Sequence, residues 1–163
     1  MSAEAVRALG AGLLVLVLAL GAAPAGAVPP VQEWRTDNGA RVLFARAPDL
    51  PLVDVRVVFN AGAARDGDLP GIARMVNGLL AEGAGDRDAD AIAAGFEALG
   101  AELDNSSHRD MSVVSVRSLS DPDHLWPALD LLGTVLAEPR FAPADVERIR
   151  AQMRVGLEGI RQS

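Results

Sequence analysis

Leu52-Val53-Asp54-Val55-Arg56-Val57-Val58-Phe59-Asn60 and, beyond a glycine-containing turn, Gly71-Ile72-Ala73-Arg74-Met75-Val76-Asn77-Gly78-Leu79-Leu80-Ala81-Glu82-Gly83 set a strand before a helix. In the first stretch Val53, Val55, Val57 and Phe59 alternate with Asp54 and Arg56, the period of a strand with one buried face. In the second, Ile72, Met75, Val76, Leu79 and Leu80 recur at the i, i+3, i+4, i+7 spacing of a helix, and Gly83 can close it. Gly62 and Gly67 lie in the turn between them, where backbone freedom is needed.

Working outward, Val31–Thr36 and Arg41–Arg46 flank Asp37-Asn38-Gly39, and an Asn-Gly pair between apolar runs predicts a hairpin. Downstream, Ile92, Phe96 and Leu99 mark a second helix that stops at Gly100. Ala101–Leu119 reads as two strands around a polar tip, Asn105-Ser106-Ser107-His108. A third helix starts near Asp121-Pro122, buries Leu125, Leu129, Leu132 and Leu136, and ends at Glu138-Pro139. The last begins at Pro143, with Val146, Ile149, Met153, Leu157 and Ile160 on one stripe. Asp145 and Glu147 in its first turn and Arg161 in its last suit the helix dipole. Strands in blocks followed by helices in blocks predict an α+β fold, a largely antiparallel sheet with helices packed on one face.

The 163 residues are half apolar and carry a formal net charge of −7; all fifteen cations are arginine. Such a chain is too apolar for disorder and too acidic for a nucleic-acid binder, which needs a basic face. It has no cysteine, which excludes disulfides, thiolate nucleophiles and cysteine zinc sites. Arg7, the uncharged run through Leu20 and the small residues up to Ala27 have the form of a secretory signal, with Ala25 and Ala27 suiting cleavage after residue 27. The alternative is a membrane anchor over residues 8–28. The expectation is an exported, periplasmic chain whose domain occupies 28–163. Because the last helical pattern runs to Gln162-Ser163 without a stop signal, that domain is expected to be incomplete at its C-terminus.

Several blocks, taken in order, resemble the N-terminal domain of the M16 peptidase family, the insulinase, pitrilysin and mitochondrial processing peptidase relatives. They are Thr36-Asp37-Asn38-Gly39-Ala40-Arg41-Val42, Phe59-Asn60-Ala61-Gly62-Ala63-Ala64-Arg65-Asp66, Gly71 to Gly83, and Leu99-Gly100-Ala101, with Leu136-Ala137-Glu138-Pro139-Arg140-Phe141 before the last helix. The resemblance implies an M16/LuxS-like metallohydrolase half-domain, a six-stranded sheet with helices on one side. It also implies an inverted zinc motif, H-x-x-E-H, on the Gly71–Gly83 helix, where two histidines one turn apart share a Zn²⁺ and the glutamate serves the bound water as general base.

Aligned on the glycines, those positions hold Arg74, Asn77 and Gly78. Arginine has no lone pair to give, asparagine no basic carboxylate and glycine no side chain. A dication about 5 Å from a guanidinium would meet roughly 7 kcal/mol of repulsion at an effective dielectric near 20. The family's third ligand, a glutamate on the late helix, aligns with Gly159, and Glu158 is one residue out of phase. At about 100° per residue Arg74, Asn77 and Gly78 centre opposite the apolar stripe, so without the resemblance they read as a solvated helix face.

Other chemistry is thin. His108 and His124 read as surface or capping residues. Asp86, Asp88 and Asp90 read as a helix cap with solvated acids, because the glycine and bidentate glutamate of a calcium loop are missing. Ser106 and Ser107 beside His108 are read as no catalytic pair, since neighbours on a strand face opposite ways.

The resulting expectation is a non-catalytic M16-like subunit with no catalytic, cofactor-binding or metal residues, which pairs with an active zinc peptidase and helps form its polypeptide-binding chamber. The alternatives are a zinc-dependent metalloendopeptidase, the only case calling for zinc, and a stand-alone periplasmic binding or scaffold module. No nucleic acid is expected as partner, and a membrane only through an uncleaved signal.

Overall fold

The computed structural model describes residues 29–162. The signal read over residues 1–27, and the anchor over 8–28 that is its alternative, lie outside the described residues. No helix among the described residues is long and apolar enough to cross a membrane. The described residues divide into two compact units between Asp49 and Leu50.

The first unit is an antiparallel hairpin of β1 (Val31–Arg35) and β2 (Arg41–Ala45). Its turn is the one Asn38-Gly39 predicts: Gly39 sits at φ +86°, in the left-handed region open to glycine. The Gly39 N–H donates to the Thr36 carbonyl over 2.8 Å. Trp34 stands opposite Val42, and Arg41 is ion-paired to Glu33 at 2.8 Å.

The second unit runs β3 (Leu52–Phe59), α1 (Ile72–Leu79), β4 (Gly83–Ala84), β5 (Arg87–Asp88), α2 (Ala89–Ala98), β6 (Glu102–Ser107), β7 (Ser112–Leu119), α3 (Pro122–Ala137) and α4 (Pro143–Gln162). Its sheet has the order β3-β7-β6, antiparallel throughout. That is three strands where the resemblance implies six, because β1 pairs with β2 and β4 with β5.

Register explains the sidedness of this sheet. One face carries the rows Val55-Val116-Leu103 and Val57-Val114-Asn105, the other Asp54-Arg117-Glu102 and Arg56-Ser115-Asp104. The valine face packs with Ile92 and Phe96 of α2 and Ala128, Leu131, Leu132 and Val135 of α3 in one core. The charged face remains solvated, so the α+β architecture with helices on one face follows from a period of two in three adjacent strands.

Four local readings change. The β6–β7 connection is residues 108–111, closed by the His108 N–H donating to the Met111 carbonyl over 2.8 Å. Asn105, Ser106 and Ser107 belong to β6, opposite Val114, Val113 and Ser112. Pairing with β7 overrides their weak strand propensity. On α3 the buried stripe is Ala128, Leu131, Leu132 and Val135, and Leu129 and Leu136 pack at its edge. On α4 the apolar stripe is half-buried only through Met153, and Leu157 is 58% exposed. On α1, Ile72 and Val76 are exposed while Asn77 is buried with Leu79.

Candidate functional site

The loop after β3 builds the entry to α1. Gly62 lies so close to the β6–β7 connection that a Cβ there would stand 2.6 Å from the His108 carbonyl oxygen. The Ala63 and Ala64 N–H groups donate to the His108 and Arg109 carbonyls over 3.1 and 2.7 Å. Arg65 donates to the Asn60 side chain from Nε and Nη2. Asp66 then caps α1: its carboxylate accepts from the Gly71 N–H at 2.6 Å and the Ala73 N–H at 3.0 Å, satisfying donors that a helix start leaves open. The block from Phe59 to Asp66 is thus a folded device that aims the helix.

With α1 so placed, Arg74, Asn77 and Gly78 occupy three different surroundings. Arg74 is exposed and forms no ion pair among the described residues. Asn77 is 4% exposed, and its Nδ2 donates to the Val113 carbonyl of β7 over 3.2 Å. Its own carbonyl accepts from Asn105 Nδ2 at 2.7 Å and from the Leu80 N–H at the end of the helix. Gly78 faces α4, where a Cβ would lie 4.0 Å from Ile149 Cγ2; one end of the same helix puts Gly71 beside Met153. Gly159 is exposed near the end of α4, ten residues past Ile149 and so about 15 Å further along the axis. Gly71 and Gly78 thus meet α4 at Met153 and Ile149, while Gly159 and its neighbour Glu158 stand further along that helix.

The solvated face expected for Asn77 and Gly78 is corrected here. The sheet covers Asn77 and α4 half-covers Gly78, while Ile72, Arg74 and Val76 stay exposed; Asn77 tolerates burial because its amide is hydrogen-bonded. Sequence reasoning missed Asn105, which it placed in a turn. The period of two in Leu103, Asn105 and Ser107 was the available signal.

Beside α1 lies an apolar groove of about 400 Å³, with Phe59, Ile72, Val76, Leu80, Leu136 and Phe141 in its walls and Asn77 and Ser112 as polar side chains. Phe141 is held at φ +45°, an uncommon conformation for a bulky residue. A zinc ion does not fit this donor set. The groove's polar side chains are an amide committed to a carbonyl and the Ser112 hydroxyl, no carboxylate or imidazole lines it, and Glu82, after the end of α1, is paired with Arg148.

The remaining candidates sit elsewhere. Ser106 Oγ lies 3.2 Å from His108 Nε2. Ser106 ends up beside His108 where β6 passes into the 108–111 connection, a contact that the reading of adjacent neighbours did not consider. His124 Nδ1 meets the Asp121 carboxylate at 2.6 Å and holds its pKa below the usual carboxylate range. Asp88 caps α2 by accepting from the Ala91 N–H. On the charged sheet face a cleft of about 420 Å³ is lined by Asp54, Arg56, Glu102, Asp104 and Arg117. Arg117 donates to both carboxylate oxygens of Asp54 and lowers its pKa.

Residues 41–162 match the family Insulinase (Peptidase family M16). The chain belongs to peptidase family M16. Its fold is similar to the crystal structure of the peptidase M16 inactive domain from Pseudomonas fluorescens, at 45% identity and a TM-score of 0.80 over 82% of this chain and 32% of that one. A protease from Helicobacter pylori shares the fold at 16% identity and a TM-score of 0.68, over 77% of this chain and 30% of that one. Pitrilysin does so at 23% identity and a TM-score of 0.68, over 84% and 15%. This M16 chain thus spans about a third or less of the length of each of these structures. None of the curated proteins compared with it matches.

Proposed function

We propose that this M16 chain is a non-catalytic domain, exported to the periplasm, that pairs with an active zinc peptidase and helps enclose the polypeptide the active partner cleaves. The observation that carries the reading is Asn77: the position aligned with the catalytic glutamate holds a buried amide whose hydrogen bond goes to the sheet. A general base must be able to take a proton, and this group cannot. The similarity to an M16 inactive domain supports the same reading. Extended polypeptide can add to a sheet edge through backbone hydrogen bonds, and β6 pairs on one side only among the described residues.

Two measurements test it. The purified chain, loaded with zinc and dialysed, is expected to hold far less than one zinc per chain and to cleave no peptide alone; stoichiometric zinc with cleavage would overturn the reading. Affinity capture from the native cell envelope is expected to recover a peptidase carrying H-x-x-E-H. Recovery of the chain without any peptidase would favour a stand-alone binding or scaffold module.

A further inference from the structure

Asn77 sits at a junction. Its side chain is buried on α1, its Nδ2 reaches the Val113 carbonyl of β7, and its carbonyl receives Asn105 Nδ2 of β6. We propose that this amide is a structural tie incompatible with a metal centre, so that the triple exchange R74H/N77E/G78H would not turn this chain into a zinc site. The inference rests on the non-catalytic reading and extends it: the scaffold itself, and not only the ligand set, has departed from metal binding.

Three features carry it. The oxygen facing the Asn77 side chain is a backbone carbonyl, which can only accept, so position 77 requires a donor. A carboxylate offers none when ionised, and its charge would be buried against another acceptor. The Asn77 carbonyl also receives Asn105 Nδ2, so this turn of α1 is tied to β6 as well as to β7. At Gly78 a Cβ would lie 4.0 Å from Ile149 Cγ2, so an imidazole there would be set against an aliphatic side chain of α4.

The test uses the full chain. R74H/N77E/G78H is incubated with zinc chloride, dialysed and analysed for metal, with its melting followed with and without zinc. Well under one zinc per chain, and a Tm below the parent's that zinc does not restore, is the expected result. One zinc per chain retained through dialysis, with a Tm raised by the metal, would overturn the proposal. Should the triple variant not fold, N77D decides, because it keeps the shape and removes the donor. Its Tm is expected to fall by roughly 5 °C or more, and melting within about 1 °C of the parent would refute the tie. The parent chain, measured alongside, separates the two readings: zinc bound there would defeat the proposed function whatever the variants do.

Discussion

The α-carbon of Gly62 faces the His108 carbonyl oxygen so closely that an added methyl group would stand 2.6 Å from it, with the Met111 nitrogen at 2.7 Å. Those contacts are backbone, which cannot rotate away as a side chain would. G62A is therefore expected to destabilise the chain by about 1–3 kcal/mol, the usual penalty for overpacking. It should also weaken the paired bonds from Ala63 and Ala64 to the 108–111 connection. The opposite sign is expected for G133A, inside α3, where an added Cβ meets nothing within 4 Å. Removing backbone freedom there should stabilise by up to about 1 kcal/mol. Urea unfolding of both variants checks the contrast, and equal effects would refute the close-approach argument.

Asp66 satisfies two backbone donors at the start of α1. D66A is expected to cost about 1–2 kcal/mol, the range of a lost helix cap. D66N retains one acceptor and should fall between D66A and the parent. Because the cap orients α1, hydrogen exchange should quicken across residues 71–80 in D66A before it does so in α3. Uniform acceleration across the chain would instead point to general destabilisation.

How far these relationships could be read in the sequence depends on range. Gly39, Gly100 and the Asp88 cap act within a few residues, and the local pattern placed each of them. The charged and apolar faces of β3 followed from Asp54 and Arg56 alternating with valines. The surroundings of α1 were not legible, because Asn77 finds its partner 36 positions away at Val113 and is buried through that partner. Helical periodicity ranks side chains by hydropathy and so assigned Asn77 to water. Asn105 was hidden for the same reason: its strand is imposed by β7, against its own preference.

The Asp54–Arg117 pair gives a pH dependence of definite sign. Arg117 hydrogen-bonds and attracts the Asp54 carboxylate, lowering its folded pKa below the unfolded value. The pair's contribution is thus present above the unfolded pKa, near 4, and is lost as pH falls through the folded value. The stability difference between the parent and D54N should be present at neutral pH and vanish in acid. Both groups are solvent-exposed, so salt should also shrink it. A difference that persists at pH 2, or ignores salt, would mean that D54N acts through something other than the ion pair.

The covering of α4 changes along its length, and two truncations should report it. Met153 is half-buried, and its Cε approaches to 3.2 Å of where a Gly71 Cβ would be. Leu157, one turn on, is 58% exposed. M153A therefore removes packed surface between two helices and is expected to cost on the order of 1–2 kcal/mol, below the 2–5 of a fully buried site. L157A removes a side chain that is already largely hydrated and should stay within about 0.5 kcal/mol, since alanine suits a helix at least as well as leucine. Guanidinium unfolding of the two variants measures both. A large loss in L157A would show that Leu157 is packed in solution and would overturn the change in covering along α4.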